Sequence, residues 1–352
     1  MSEPAGLNLI FHSIGPGGGM ERYVLDLIGA CVRREIKLRV IARRVSWPGS
    51  RSSAVEFVVL RDRTPFSRLN NLRFETIATR HVRPGWPTVA ISRVPTGADL
   101  SIVGGTHAGH LRDIGKTRSG LFDRLTIARE QAMYNTAHAV IAHSERVRQE
   151  ILRHYSIPAE KVVTLCPPVD TRQFGLAARS EREPVRRRLG IQAGQFLLLF
   201  PSNNHALKGA ELILAALDGY DQRVVLVVAG KTPLAHPRVR NLGYCTDMPA
   251  LYAAADASIL ASRYEAFGLV GPESILCGTP VLLAETVGAV DVLSPTACLR
   301  FSRTVPSLRA VLDVALARFD AGTLALADPS AHIHYPYSVD DHRDAVLAHL
   351  PS

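Results

Sequence analysis

Short apolar runs recur along the chain with helix-patterned segments between them, and this alternation limits the fold more than any other feature. In the first half the runs are Leu7–His12, Leu38–Ala42, Val55–Leu60, Thr88–Ser92, Leu100–Val103, Ala139–Ala142 and Val162–Leu165. In the second half they are Phe196–Phe200, Val224–Ala229, Ser258–Leu260 and Pro280–Leu283. Runs this short and this uninterrupted read as strands buried on both faces. Strands alternating with helices build βαβ units and parallel sheets. The expected fold class is therefore α/β, with two doubly wound domains facing across a cleft. A chain of 352 residues suits this, at roughly 100–200 residues per domain. The segment Pro167–Arg188, rich in Pro and charge, reads as a linker plus an edge helix between the halves.

Composition removes other classes. With 47% hydrophobic and 21% charged residues the chain has the ordinary globular mix, which excludes wholesale disorder. No apolar run approaches the eighteen or so residues of a spanning helix. The start, Met1-Ser-Glu-Pro-Ala-Gly6, shows neither a basic nor an apolar region of a secretory signal. Cys31, Cys166, Cys245, Cys277 and Cys298 form no C-x-x-C pair and no metal-finger spacing, so reduced, mostly buried thiols of a cytoplasmic protein are expected.

The net charge of +9 raises the question of an anionic partner. Residues 1–170 hold 24 Lys and Arg against 15 Asp and Glu, whereas residues 171–352 hold 17 against 17. All of the excess belongs to the first half. Both tryptophans also lie there, in Ser46–Arg51 and Arg83–Pro87, and the stretch Arg61–Phe74 interleaves Arg with Phe and Leu. Such a stretch can rest on an anionic membrane surface, or it can be an amphipathic helix packed on its own domain. Nucleic acid is disfavoured because no reading module or finger spacing is present.

In doubly wound sheets ligands bind beyond the carboxyl ends of the strands, so the motifs should follow strands. The first strand runs into Gly15-Pro-Gly-Gly-Gly-Met-Glu-Arg22 and an apolar-periodic helix. Glycines there let a ligand approach the backbone, or simply make a tight turn. Met20 stands where a dinucleotide fingerprint needs Gly. Gly109–Thr117 and the Gly230-Lys-Thr232 segment only imitate a phosphate loop, since the glycine spacing is wrong in both.

In the second half, Phe200-Pro-Ser-Asn-Asn-His-Ala-Leu-Lys-Gly209 follows a strand and opens the helix Ala210–Leu217. A lysine at a helix start opposes the macrodipole, so Lys208 is placed either for an arriving phosphate or for solvent. The sharpest pattern is Glu265-Ala-Phe-Gly-Leu-Val-Gly-Pro-Glu273, a pair of carboxylates around Gly268, followed by Cys277-Gly-Thr-Pro-Val281. Glu265 precedes the helix. Glu273 lies about one turn in, placed to accept from hydroxyls such as a ribose diol. Backbone N–H groups around Phe267-Gly268-Leu269 can hold a diphosphate.

These motifs together resemble the retaining GT-B glycosyltransferases of family 4, especially bacterial lipopolysaccharide-core and other cell-envelope sugar transferases. The likeness rests on Gly18-Gly-Met-Glu-Arg22, Gly104-Gly-Thr-His-Ala-Gly-His-Leu111, His143–Val147, Val169-Asp170, Leu251–Asp256 and Glu265…Glu273. It implies two Rossmann-like domains: 1–168 for the acceptor, with 336–352 as a helix crossing back onto it, and 169–335 for the nucleotide sugar. It also implies a metal-independent enzyme without cofactor, and no D-x-D triplet occurs in the chain. The expected donor is a nucleotide diphosphate sugar, UDP favoured, and the acceptor a cell-envelope glycan or glycolipid.

The resemblance makes His107 the active-site histidine. Lys208, the N–H groups of Phe267, Gly268 and Leu269, Ser202, Asn203 and the loop Gly17, Gly18, Gly19 are expected to steady the diphosphate. Glu265 is expected to hold donor-sugar hydroxyls and Glu273 the ribose. Three departures stand out. Ser202 and Asn203 occupy the stretch where an Arg often partners the Lys, Pro167-Pro168 stands where Asn-Gly is common, and Pro272 interrupts the first turn of the Glu273 helix. A non-catalytic sugar-nucleotide-binding partner of another enzyme is the alternative reading.

Overall fold

The computed structural model describes residues 4–49, 52–116 and 118–351. The chain forms two compact units, Met1–Pro168 with Pro336–Ser352, and Val169–Tyr335.

The first unit is built on seven parallel strands: β1 (Leu7–Ile10), β2 (Leu38–Ala42), β3 (Val55–Val59), β4 (Thr88–Ala90), β5 (Leu100–Val103), β6 (Ala139–Ala142) and β7 (Val162–Thr164). Their spatial order is β3-β2-β1-β4-β5-β6-β7. The order reverses between β1 and β4, where Leu9 pairs with Val40 on one side and Val89 on the other. The second unit repeats the plan with β8 (Phe196–Pro201), β9 (Val224–Ala229), β10 (Val239–Gly243), β11 (Ala257–Leu260), β12 (Val281–Ala284) and β13 (Cys298–Phe301). Its order is β10-β9-β8-β11-β12-β13, reversing between β8 and β11. Both sheets thus have the doubly wound topology that the alternating runs imply, and each has one switch point.

The expected runs become strands because their side chains are buried on both faces; every residue of β1, β5, β6, β9, β11 and β12 is buried. Sequence reading overlooked β10 and β13. Both are sheet edges, and their polar residues Arg240, Asn241 and Arg300 interrupt the apolar signal.

The segment read as a linker plus an edge helix does end in a helix, and the stretch before it is packed as well. A 3-10 turn Leu176–Glu181 leads into the helix Arg182–Arg188, and Phe174 and Val185 are buried. Its charges, which suggested solvation, grip the buried Asp256: Arg182 at 2.5 Å and Arg186 at 2.8 Å. At the other end of the chain, the helix Val339–Ala348 starts on Ser338, whose hydroxyl accepts the Asp341 N–H at 3.1 Å. It returns to the first unit and packs on the helix Gly19–Arg33. Arg343 Nη1 donates to the Ala30 carbonyl at 3.1 Å, and Val346 joins the core.

The basic, aromatic stretch of the first unit forms a helix that packs on its own domain through one face. The helix Ser67–Ile77 buries Asn70, Phe74 and Glu75, while Phe66 before it is 65% exposed and Leu69 53% exposed. The tryptophans are half-buried packing residues: Trp47 lies against Phe57, and Arg83 covers the Trp86 ring. Ser50 and Arg51 of the first tryptophan segment, and Thr117 of the false phosphate loop, lie outside the described residues. Cys31, Cys166, Cys277 and Cys298 are buried free thiols, and Cys245 is half-buried. Among the described residues no helix is long and apolar enough to cross a membrane.

Candidate active site

In the second unit the two loops that follow β8 and β11 meet at the switch point. After β8, the Asn204 side chain accepts the Leu207 N–H at 3.2 Å and shapes a four-residue turn, His205–Lys208. Gly209 then takes a left-handed conformation, φ +78°, before the helix Ala210–Leu217. Lys208 therefore ends a short turn and is set off from that helix by Gly209, which corrects its expected place at a helix start. Gly209 is required twice over. A side chain would be strained at this φ, and its Cβ would lie 2.0 Å from the Ala261 carbonyl oxygen. The contact straps the two loops together, reinforced by the Arg263 N–H donating to the Leu207 carbonyl at 2.8 Å.

This strap brings Lys208 onto Glu265. The Nζ of Lys208 donates to Glu265 Oε2, and Ser262 Oγ donates to the same oxygen at 3.3 Å. Each side chain is about one-fifth exposed, 23% and 21%, so the pair can still meet a ligand. Ser202 is buried, with its hydroxyl 2.7 Å from His205 Nδ1, and Asn203 Oδ1 accepts the Lys231 N–H at 3.2 Å. His205 in turn contacts the Thr232 carbonyl through Nε2 at 2.6 Å. These residues join the loop after β8 to the loop after β9.

Beyond Glu265 the chain is fixed by the Gly288 N–H to the Glu265 carbonyl and the Ala289 N–H to the Phe267 carbonyl, at 3.1 and 2.8 Å. Phe267 is buried edge-on to Tyr335. Gly268, at φ +96°, passes so close to Val287 that a Cβ would lie 2.6 Å from its Cγ1. Among the described residues the N–H groups of Phe267, Gly268 and Leu269 find no acceptor within the protein. The helix Val270–Leu276 starts there. Pro272 does it no harm, because first-turn N–H groups lack helical acceptors anyway and the Gly271 N–H already takes the Gly268 carbonyl. Glu273 accepts from Tyr252 Oη at 2.9 Å. Tyr252 had no assigned role from sequence, although it lies within the Leu251–Asp256 motif.

In the first unit, Gly18 precedes the helix Gly19–Arg33, and its N–H donates to Glu21 Oε2 at 3.0 Å. That carboxylate folds over the loop, so a Cβ at Gly17 would lie 2.7 Å from Glu21 Cγ; around Gly19 the space is open. Met20 packs its sulfur where a Cβ of Gly104 would be. His107 begins the helix His107–Asp113 just past β5. Its Nε2 is 3.0 Å from Asp123 Oδ1, and its N–H donates to Glu130 at 3.1 Å. Lys116, bonded to Asp123 at 2.6 Å, is the main reason that this carboxyl is held well below the usual range, with His107 and the Gly120 N–H adding to it.

Sequence reasoning missed the array around His107. Buried Glu130 accepts from Arg93 Nε at 2.9 Å and from Tyr155 Oη. Buried Glu75 lies 3.1 Å from Arg129 Nε and 3.2 Å from His12 Nε2. Ser92 Oγ is 2.6 Å from His12 Nδ1. His12 and Arg93 each stand two or three residues past β1 and β4, the strands flanking the switch point, and that position is the signal by which they could have been found. No described group of three or more His, Cys, Asp or Glu is arranged to hold a metal ion.

Residues 17–173 match the domain described as Glycosyltransferase Family 4, and residues 195–306 match that of Glycosyl transferases group 1. A probable transglycosylase of Burkholderia thailandensis is 36% identical, over 96% of this chain and 94% of its own length. A D-inositol 3-phosphate glycosyltransferase of Streptomyces bingchenggensis is 29% identical over 45% of this chain and 40% of its own. Among solved structures, WaaG, a glycosyltransferase involved in lipopolysaccharide biosynthesis, superposes with a TM-score of 0.81 at 19% identity, covering 97% of this chain and 99% of that one. Anabaena HepE, in complex with UDP and glucose, gives 0.75 at 17% identity with 98% of each chain covered.

Proposed function

The chain belongs to glycosyltransferase family 4, with a group 1 glycosyltransferase domain in its second half, and from that premise we propose that it moves a hexose-type sugar from a nucleotide diphosphate sugar to a cell-envelope glycan or glycolipid, such as lipopolysaccharide core, with retention. A UDP-sugar is the favoured donor; HepE, of the same fold, was solved with UDP and glucose. The observation that supports the reading most is the Lys208–Glu265 pair at the switch point of the second sheet.

Transfer passes through an oxocarbenium-like state while negative charge grows on the departing diphosphate, and stabilising that charge is the main task. In this reading Lys208 carries most of it. An ammonium has three donors, and Glu265 takes one, leaving two to face a phosphate. The acceptor-free N–H groups of Phe267, Gly268 and Leu269 add dipoles fixed in advance, and Ser202 and Asn203 hold the loop in shape. Glu265, kept in place by Lys208 and Ser262, accepts from donor-sugar hydroxyls, while Glu273 with Tyr252 takes the ribose diol. Of the first unit's residues, His107 is assigned to the sugar near C6 or its anomeric face, and the Gly17, Gly18, Gly19 loop to a close backbone approach at Gly19, since the Gly18 N–H is already taken by Glu21. Retention then has the acceptor hydroxyl attack C1 on the face from which the diphosphate leaves, the C1–O bond to phosphate breaking as the hydroxyl proton passes to the departing phosphate oxygen, while Lys208 and the loop N–H groups supply the positive charge that a metal would otherwise bring.

Removing Lys208 tests these assignments. Hydrolysis of the verified donor by Lys208→Ala should fall about 10²–10³-fold with the melting temperature unchanged. Near wild-type turnover would overturn them.

The first unit's surface supports a peripheral place at the inner face of the cytoplasmic membrane. Phe66, Leu69, Leu121 (86% exposed) and Leu125 are exposed, and Arg68 lies over the Phe122 ring at 5.0 Å, which joins the helices Ser67–Ile77 and Leu121–Thr136. Apolar residues among arginines suit anionic headgroups. The protein should sediment with anionic vesicles and lose this in Phe66→Ser/Leu121→Ser. Equal retention on neutral vesicles, or on DNA at matched salt, would contradict it.

A further inference from the structure

A second concavity lies in the second unit at the amino-terminal edge of the sheet, opposite to Lys208, where β11 and β12 begin. It is a cavity of about 190 Å³ lined by Arg179, Arg182, Thr279, Pro280, Phe319 and Leu324, among others. Its size suits a small molecule, below the range of drug-sized pockets.

The charges around it do not balance. Asp256 is the one acid in the lining, and its carboxylate is fully engaged. Oδ1 accepts from Arg182 Nη2 at 2.5 Å, and Oδ2 accepts from Arg186 Nη1 at 2.8 Å and the Leu197 N–H at 2.7 Å. Arg182 also donates through Nη1 to the carbonyls of Ala253, Ala254 and Ala255, at the end of the helix Met248–Ala254. Arg179 is different. Among the described residues its side chain has a single hydrogen bond, Nη1 to the Gly278 carbonyl at 2.9 Å, and no carboxylate within ion-pair distance. A guanidinium carries five N–H donors, and capping one carbonyl leaves four. Burial first, and the Arg182 cation second, push the Arg179 charge down from its ordinary value. A half-buried cation beside another cation is a costly arrangement that an anion relieves.

We propose that this cavity is a binding site for a small organic anion, its phosphate or carboxylate head on Arg179 and its short apolar body against Pro280, Phe319 and Leu324. Planar forks of this kind match such heads in a bidentate manner. The site is separate from the donor loops but shares their helices. Arg182 and Arg179 hold chain just past the ends of the helices Met248–Ala254 and Val270–Leu276, which carry Tyr252 and Glu273.

Phenyl phosphate titrated by calorimetry into the Lys208→Ala protein tests the proposal with the donor lysine removed from the comparison. One saturable site is expected. Adding Arg179→Gln should weaken it roughly tenfold or more, and Arg179→Lys, which keeps the charge but loses the fork, should recover only part of it. Ala325→Leu, which crowds the exposed rim of the cavity without changing any charge, should also weaken binding and keeps the test decisive if Arg179→Gln fails to fold. Inorganic phosphate should bind more weakly than phenyl phosphate. Absence of a saturable site, or equal affinity in Arg179→Gln and Ala325→Leu, would overturn the site. Equal affinity for the two phosphates would overturn its organic occupant in favour of free phosphate.

Discussion

Lys208 and Glu265 stand 57 residues apart, and the residue that unites them is a glycine. Sequence patterning singled out both side chains because each follows a buried strand, Lys208 for opposing a helix dipole and Glu265 for its spacing to Glu273 around Gly268. Their contact was not legible, because it depends on Gly209 lying against the Ala261 carbonyl, a tertiary approach with no local signature. Glu75 and Glu130 were illegible for a related reason. Within helices of mixed polarity they look like solvated charges, and only the folded unit surrounds them with Arg93, Arg129, His12 and Tyr155. Asp123 is the residue through which this support for His107 can be tested. Its carboxyl stays ionised well below the usual range, chiefly through Lys116. Asp123→Asn keeps the shape but removes the charge that orients the His107 ring. The expected result is a fall in kcat/KM of about tenfold with a nearly unchanged melting temperature; unchanged kinetics would contradict the role.

Elements follow the same division between local and tertiary information. Central strands were legible as unbroken apolar runs, whereas β10 and β13 at the sheet edges carry Arg240 and Arg300 and escaped notice. Helix starts with a side-chain cap, such as Ser338, were also readable. What holds the helix Val339–Ala348 in place was not, since it is a buried cluster of Tyr23, His143 and His342. Tyr23 Oη is 2.9 Å from His342 Nε2, and the His143 ring lies 4.6 Å from that of Tyr23. Burial is the main reason that His143 is depressed to about 3 and His342 to about 4; the neighbouring His342 adds to the first, and the Cys166 backbone opposes the second. Cys31, Arg33, Asp340, Arg343 and Asp344 are the other titratable or charged groups of the contact. A neutral native histidine whose unfolded pKa is about 6.5 contributes stability that is complete above that pH and declines as pH falls toward the folded value. Each should cost about 2 kcal/mol between pH 7.5 and pH 5. Urea midpoints should therefore fall from pH 7.5 to pH 5, and less steeply in His342→Gln. Equal slopes would show that the cluster is not responsible.

At the scale of the whole molecule, the alternation of apolar runs and helices identified two doubly wound sheets, and each repeats one strand order with a single switch point. The excess charge of +9 falls within residues 1–170, while the half containing Lys208, Glu265 and Glu273 is neutral. In the proposed function the basic first unit takes the acceptor and the neutral second unit the donor. Donor and acceptor identity were not legible, because such specificity lies in loop shape, and the loops after β9 and β10, where Lys231 lies over the exposed Tyr244 ring, carry no motif. A glycosyltransferase turns over a nucleotide sugar, whereas a partner protein only binds one. Release of free sugar and nucleotide from a panel of UDP-, GDP- and ADP-sugars, in the presence of a metal chelator, separates the two most directly. Steady hydrolysis of one donor class, UDP-sugars first, undiminished by the chelator, is expected. Tight binding of a UDP-sugar with no turnover of any donor, with or without a glycan acceptor, would contradict it and leave a sugar-nucleotide-binding partner protein in its place.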